Sequence, residues 1–427
     1  MKPLSLPQRV FLFLQGPPGP FFPRLGEQLA ARGMGIFRIN LNGGDRRDWP
    51  EGSVDYRGRT ADWPMYFDRF VRQHKVTDLV LYGDCRPMHL AAHRLARLRG
   101  IRIHVFEEGY IRPNWMTLER DGVNGHSRLD RNPDSIREAA RDLPPVPDLP
   151  QITASFRRRA HDSYWHYHYI VTGVFRFPYY RNHRPGVIIG EGFGWINKFA
   201  RRKQRARLTD DALNRIAGRD YYLFPLQLTG DYQIRAHSPF PSMEIAAEYV
   251  LDSFAHFAPP GSLLLVKEHP LDCTFRSWRA FLAKRARKLG IADRVVHIDG
   301  GDLTILAREA IGMVCVNSTS GTLALETGIP VIVLGDAIYD VPGVTHQGAL
   351  DRFWQAPEAP DMTLYDAFKR VLHARCLVRG GLASESAIRT LLDNTIDRLI
   401  NDDPIAISAN LAEVISQAVG SNPSSLK

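Results

Sequence analysis

Val314–Gly335 reads VCVNSTSGTLALETGIPVIVLG. An apolar run ends at Asn317. Three hydroxyl residues, Ser318, Thr319 and Ser320, precede Gly321, and GTLALETG has the spacing of a helix start. Pro330 then opens a second apolar run, Val331–Leu334. Strand, turn, helix and strand in so short a span predict a parallel pair joined by a crossover. A helix start also gathers free N–H groups, so these hydroxyls suit an anion as well as an ordinary cap.

The same alternation extends in both directions. Upstream, strands are expected at Tyr221–Phe224, Leu263–Val266, Val295–Ile298 and Met313–Val316, with helical stretches such as MEIAAEYVLDSFAHFA and FRSWRAFLAKRARKLG between them. The first half repeats the plan. Strands are expected at Val10–Leu14, Ile36–Ile39, Leu79–Tyr82 and Ile101–Phe106, with a polar loop at Asn42–Asp45. The fold class expected is α/β and GT-B-like, with two Rossmann-like domains facing each other across a cleft. The boundaries expected are 1–210 (with a basic and aromatic segment, 156–207), 211–375, and a helical segment and tail at 376–427. No G-x-G-x-x-G fingerprint is present.

The 427 residues suit two domains, and 44% hydrophobic with 24% charged residues is a globular composition. The four cysteines form no C-x-x-C pair, which argues for a reducing compartment and against a structural zinc. No apolar stretch reaches the roughly 18 residues needed to span a bilayer. A net charge of +9 favours anionic partners.

Ligands of open α/β sheets bind beyond the carboxyl ends of the strands. Five strand ends therefore stand out. QGPPGPFF (Gln15–Phe22) offers glycines for a close approach, or an ordinary turn. In VFEEGYIRP (Val105–Pro113), the acids Glu107 and Glu108 lie in a solvated turn, or one is held for chemistry. FPLQLTGDYQIRAHSPF carries Gln227 and Asp231; Asp231 is a nucleophile, an acid/base, or a turn aspartate. LLLVKEHPLD ends in Lys267, Glu268 and His269, which suit a phosphate better than a metal. In the opening stretch, Glu326 follows the hydroxyls and could meet a ribose. A K-x-H-P strand end and, about 50 residues on, S-x-S-G-x-x-x-x-E resemble the nucleotide-phosphate pattern of GT-B glycosyltransferases. No D-x-D cluster points to a metal-dependent alternative.

The set FLFLQGPPGPFF, RINLNGGD, YGDCRPMH, FEEGYIRP, FRFPYYRNHR, FPLQLTGDYQI, KEHP and NSTSGTLALETG resembles the capsule polysaccharide synthesis proteins of the KpsS/LipB type. The resemblance implies a retaining β-Kdo transferase that uses CMP-Kdo, needs no metal or other cofactor, and acts on phosphatidylglycerol or lyso-phosphatidylglycerol. It implies Asp231 as nucleophile and Glu108 or Glu107 as acid/base. Lys267, His269, Ser318, Thr319, Ser320 and Gly321 would hold the CMP phosphate, with His269 also catalytic, and Glu326 the ribose. Gly16, Gly19, Gln227 and Arg112 would lie on the acceptor side. Relatives often carry E-D-G where this chain has E-E-G, which leaves the functional acid of the pair open; Glu108, next to Gly109, is preferred for acid/base work and Glu107 for orienting or packing.

The segment 156–184, FRRRAHDSYWHYHYIVTGVFRFPYYRNHR, interleaves arginines and aromatics. It suits an anionic membrane surface, or a packed helix between domains. The expected location is cytoplasmic, peripheral on the inner face of the cytoplasmic membrane. Other capsule synthesis or export proteins are expected partners, and nucleic acid is not. Two other readings stay open: a nucleotide-sugar 2-epimerase, and a non-catalytic subunit of capsule export.

Overall fold

The structure is a computed structural model and describes residues 9–182, 194, 198–228, 232–272 and 277–401. Its strands are β1 Val10–Phe13, β2 Gly35–Asn40, β3 Val54–Asp55, β4 Asp78–Tyr82, β5 Arg102–Glu108, β6 Trp115–Arg120, β7 Tyr221–Pro225, β8 Leu263–Lys267, β9 Val295–Ile298, β10 Gly312–Cys315, β11 Val331–Val333 and β12 Leu377–Arg379. They form two sheets in two compact units.

Unit 1 gathers the described residues of 1–128, 142–183 and 369–427. Its seven-stranded sheet runs β12-β6-β5-β4-β1-β2-β3. The first five strands are mutually parallel in the order 3-2-1-4-5, the Rossmann order without its sixth strand. Three strands of the sheet were not expected: β3 pairs parallel with β2, β6 antiparallel with β5, and β12 antiparallel with β6. Side chains alternate across this sheet as the strand period requires. Phe11, Phe13, Val80, Tyr82 and Phe106 pack on one face with the Phe21–Ala30 and Glu385–Asn401 helices. Leu12, Leu79, Leu81, Ile103 and Val105 pack on the other with Trp63–Gln73 and Pro87–Leu98. β4 is buried over its full length, which is why it reads as a continuous apolar run after Asp78.

Asp78 opens β4 at the amino edge of the sheet and is fully buried. Arg9 Nε donates to it at 3.1 Å, Arg102 Nε at 2.9 Å, and His104 Nε2 lies 2.8 Å away. Burial alone would raise its pKa; these partners outweigh that and hold it far below the usual carboxylate range. Arg9 Nη1 also donates to the carbonyls of Leu399 and Ile400, at 2.6 and 2.7 Å. Through Arg9, this buried acid ties the first described strand to the last described helix.

Unit 2 gathers the described residues of 129–141 and 184–368. Its five strands are all parallel, in the order β11-β10-β7-β8-β9, again 3-2-1-4-5 counted from β7. The division differs from the expected boundaries at 210 and 375. Residues after 368 join unit 1 because β12 hydrogen-bonds to β6 and Leu391, Leu392 and Leu399 cover the first unit's core.

The polar loop expected at Asn42–Asp45 is a short helix, Gly43–Asp48. Asn42 caps it by accepting from Asp45 N at 2.9 Å. Its glycines are a packing requirement. A Cβ on Gly43 would stand 2.0 Å from the Tyr169 carbonyl oxygen, and one on Gly44 2.6 Å from that of His166. The Phe156–Thr172 helix therefore lies on this turn backbone to backbone, and His166 Nδ1 meets Asp48 Oδ2 at 2.6 Å. Gly43→Ala should cost about 1–3 kcal/mol in urea unfolding, as overpacking does. Gly261→Ala, with nothing within 4 Å, should leave the midpoint unchanged. Equal midpoints for the two variants would refute the packing account.

Candidate functional site

The sheets give each unit its own set of strand-end groups. In unit 1, β5 continues through both acids of VFEEGYIRP and ends at Glu108. Glu107 pairs with Thr117 and Glu108 with Met116 in the β6 ladder. Adjacent residues of a strand point to opposite faces. Glu107 therefore follows Ile103 and Val105, toward Arg86 and Asp84, while Glu108 follows Phe106 toward Tyr82 and the Phe156–Thr172 helix. The following Gly109 serves the hairpin: a Cβ there would stand 2.2 Å from the Trp115 carbonyl oxygen.

The two environments drive the acids apart. Burial pushes Glu107 up to about 7, more than the Glu108 N–H (3.0 Å) and the nearby Arg86 pull it down. Glu108 is held below its ordinary value: burial raises it, but Arg159, Arg112 and the Tyr82 hydroxyl prevail. Arg159 Nη2 donates at 2.8 Å and Tyr82 Oη at 3.2 Å. With 44% of the Arg159 and 28% of the Glu108 side chain exposed, the ion pair fixes charge more than it adds stability. An acid that changes charge near neutrality suits proton transfer. Burial thus makes Glu107 the acid of the pair that changes charge near neutrality, where the sequence reading preferred Glu108 for its glycine neighbour.

Gly16 and Gly19 are explained by packing. A Cβ on Gly16 would meet the Phe22 ring at 2.7 Å. Gly19 has φ +102, and a Cβ there would sit 2.8 Å from Asp162 Oδ2. Arg112 is exposed; its Nε donates to Gly109 O at 3.2 Å and its charge lowers Glu108.

Asp84, Cys85 and His126 bring a carboxylate, a thiol and a ring nitrogen within 4.8 Å of one another. These are metal-ligand types; without an ion between them, burial and the Asp84 carboxylate raise the thiol well above its usual range. Cys85 Sγ donates to Asp84 Oδ1 at 3.2 Å, and His126 Nδ1 lies 2.9 Å from Asp84 Oδ2, a hydrogen-bonded trio.

In unit 2, strand order reverses between β7 and β10, the place where such sheets take ligands. Gln227 and Asn317 follow these two strands and bridge them. Gln227 Nε2 donates to Asn317 Oδ1 at 2.9 Å, and Asn317 N donates to Gln227 Oε1 at 3.2 Å. Gln227, expected on the acceptor side, therefore belongs with the strand ends of the second unit. Asn317 was passed over by sequence reasoning as a mere strand terminus. Its Nδ2 also donates to His237 O at 3.1 Å.

The structure brings Ser318, Thr319, Ser320 and Gly321 to this same edge, at the start of the Ser320–Glu326 helix. Ser318 Oγ accepts from Ser320 N at 3.1 Å and donates to Ser320 Oγ at 2.9 Å, so part of the hydroxyl set caps the helix. Gly321 is glycine because a Cβ would stand 2.3 Å from the Tyr339 hydroxyl. Glu326 lies about 9 Å along the helix axis from Ser320, at 1.5 Å per residue. Tyr365 Oη donates to it at 3.2 Å, so it is not gathered with the hydroxyls.

At the end of β8, Lys267 is buried, which lowers its pKa, while Asp299 and Glu268 act against that shift. Glu268 meets Arg205 at 3.5 Å and His297 at 3.3 Å. Arg205 also pairs with Asp299, so the basic run 201–207 is partly structural. His269 is half-buried, and its Nδ1 accepts from Leu271 N at 3.1 Å. Asp231 lies outside the described residues.

A folded-state value raised above the unfolded one is stabilising below the unfolded pKa and is lost as pH rises through the folded value. Glu107 therefore costs wild type stability between about pH 4.5 and 7. Glu107→Gln should flatten the fall in Tm across that window. Glu108→Gln should instead remove stability that is present above about pH 4.5 and lost as pH falls below it. Parallel Tm–pH curves for wild type and Glu107→Gln would refute the assignment.

Residues 77–382 match the sequence profile of a family described as "Capsule polysaccharide biosynthesis protein". The chain is 34% identical over 377 residues to "Capsule polysaccharide export protein KpsS" of Escherichia coli, covering 85% of this chain and 94% of that one. It is 33% identical over 374 residues to "Capsule polysaccharide modification protein LipB" of Neisseria meningitidis serogroup B, covering 84% and 88%. Among solved structures, the Thermosulfurimonas dismutans KpsC β-Kdo 2,7 transferase aligns at TM-score 0.41 and 13% identity, covering 85% of this chain and 89% of that one. The S. aureus MnaA–UDP structure aligns at 0.33 and 11%, covering 93% and 97%.

Proposed function

The chain belongs to the capsule polysaccharide biosynthesis family, and from that premise we propose that it is a retaining glycosyltransferase moving Kdo from CMP-Kdo to phosphatidylglycerol or its lyso form. The observation that carries this reading is the split pair at the end of β5. Burial pushes Glu107 up to about 7, which suits it to take a proton, while Arg159 holds Glu108 below its ordinary value.

The reaction has two displacements. The Asp231 carboxylate attacks the anomeric carbon, and CMP departs with the electron pair of the broken C–O bond. Lys267, His269 and the Ser318–Ser320 hydroxyls stabilise the phosphate as its charge develops. The acceptor hydroxyl then attacks the same carbon, its proton passes to Glu107, and the Asp231 ester bond breaks. Gln227 and Asn317, locked together, hold the shape of the donor site.

No helix among the described residues is long and apolar enough to cross a membrane. The proposed location is the inner face of the cytoplasmic membrane, held peripherally. The exposed Phe156, Tyr164, Val174 and Phe175 support that reading. Other capsule synthesis or export proteins are its proposed partners there.

Incubation with CMP-Kdo and a fluorescent phosphatidylglycerol should release CMP and add whole Kdo masses to the lipid. Asp231→Ala should lose product formation by at least about 1,000-fold, the scale seen when a covalent nucleophile is removed. Turnover of a UDP-sugar with no change in the lipid would place the chain with the 2-epimerases. No turnover of either, with capsule assembly intact in the Asp231→Ala strain, would make it a non-catalytic subunit.

A further inference from the structure

Unit 1 has a switch point of its own, between β1 and β4. The residues just beyond these strands, Gln15 and Arg86, line a pocket of about 640 Å³ including its open mouth. Arg57 and Tyr56 border it after β3, and Tyr180 and Arg181 close it from the segment after the Phe156–Thr172 helix. Among the described residues, no Asp or Glu lines it.

Its arginines are unlike their neighbour Arg38. Arg38 is buried and fully engaged, with Asp45 at 3.1 Å and Asn40 Oδ1 at 3.0 Å. Arg86 Nη1 is also buried but makes no hydrogen bond. Among the described residues, none of Arg57, Arg86 and Arg181 is in an ion pair. An unmade hydrogen bond on a buried guanidinium is costly, and an anion in the pocket would make it. The Tyr180 hydroxyl accepts from Gln15 Nε2 at 3.4 Å, and burial pushes it up to about 12, so it keeps its proton to donate.

Two features say what carries the anion. The chain entering the pocket from the helix side exposes Val174 (52%), Phe175 (95%) and Tyr179 (45%), an apolar and aromatic run beside arginines, as at a bilayer interface. On the inner side, Arg86 leads to the proposed base. A Cβ on Gly83 would lie 3.9 Å from Arg86 Nε and 3.2 Å from Glu107 Oε2, so both groups flank one glycine.

We propose that this pocket binds the phosphodiester headgroup of a glycerophospholipid. Arg57, Arg86 and Arg181 hold the phosphate, Tyr56 and Tyr180 border the glycerol, and Val174–Tyr179 meets the lipid surface. A glycerol hydroxyl then arrives on the Glu107 side of Arg86. The choice of a glycerol lipid rests on the proposed function, but the binding does not need the donor.

The test uses the full chain without CMP-Kdo, so it can succeed where the transferase reading fails. Binding of glycerophosphoglycerol is followed by ligand-observed NMR, and binding to phosphatidylcholine vesicles with and without phosphatidylglycerol by co-sedimentation. Arg86→Gln and Arg181→Gln should each weaken headgroup binding about tenfold, the scale of one charge-assisted bond. Arg97→Gln, exposed on the Pro87–Leu98 helix, should not. Arg181 is exposed, so its variant keeps the test open if Arg86→Gln misfolds. Phe175→Ser should weaken vesicle binding and leave the soluble headgroup unaffected. Headgroup binding unchanged in both pocket variants overturns the proposal. So does inorganic phosphate competing as well as glycerophosphoglycerol, which would make this a free-phosphate site. Vesicle binding that follows net charge alone, in all arginine variants equally, overturns it too.

Discussion

A parallel strand covered on both faces has no room for charge until it stops. β4, β7 and β8 are buried from end to end, and charge meets these strands only at or beyond their ends. The two ends of a sheet then differ in kind. At the amino edge of unit 1, Asp78 is consumed by Arg9, Arg102 and His104, and the result is a clamp. At the carboxyl edges, Glu107, Arg86 and Lys267 sit buried or half-buried with their electrostatics only partly settled. Settled charge builds structure; unsettled charge at a strand's carboxyl end is what a substrate can complete.

Strand periodicity does the rest of the sorting. Two neighbouring glutamates on one strand cannot share a site, because alternate residues face opposite sides. Glu107 is sent to a side where burial dominates, and Glu108 to a side where Arg159 and Tyr82 wait. Chemically identical neighbours are shifted in opposite directions because the backbone sends them to different surroundings.

Much of this was legible in the sequence. The apolar runs placed the strands of the parallel cores, since buried strands advertise themselves by composition. The adjoining strand-end residues followed directly. β6 and β12 were not legible, since each is an edge-side pairing decided by residues far apart, Leu377 with Thr117 for example. Glycines misled most. Those at 16, 43, 44, 109 and 321 look like ligand-loop signals, yet each is demanded by a neighbouring protein atom. Gln227 was read with the acceptor because nothing local says that its partner is Asn317, 90 residues on. The arginine pocket was invisible for the same reason: Arg57, Arg86 and Arg181 meet only in three dimensions.

The central claim is that each sheet binds its own ligand at its own carboxyl edge, the nucleotide on unit 2 and the anionic acceptor on unit 1. Hydrogen–deuterium exchange of the full chain with CMP, and separately with glycerophosphoglycerol, tests this most directly. CMP should slow exchange around Lys267–Leu271 and Asn317–Gly321 and leave Gly83–Met88 unchanged. Glycerophosphoglycerol should do the reverse. Protection of Gly83–Met88 by CMP, with Asn317–Gly321 unaffected, would contradict the account.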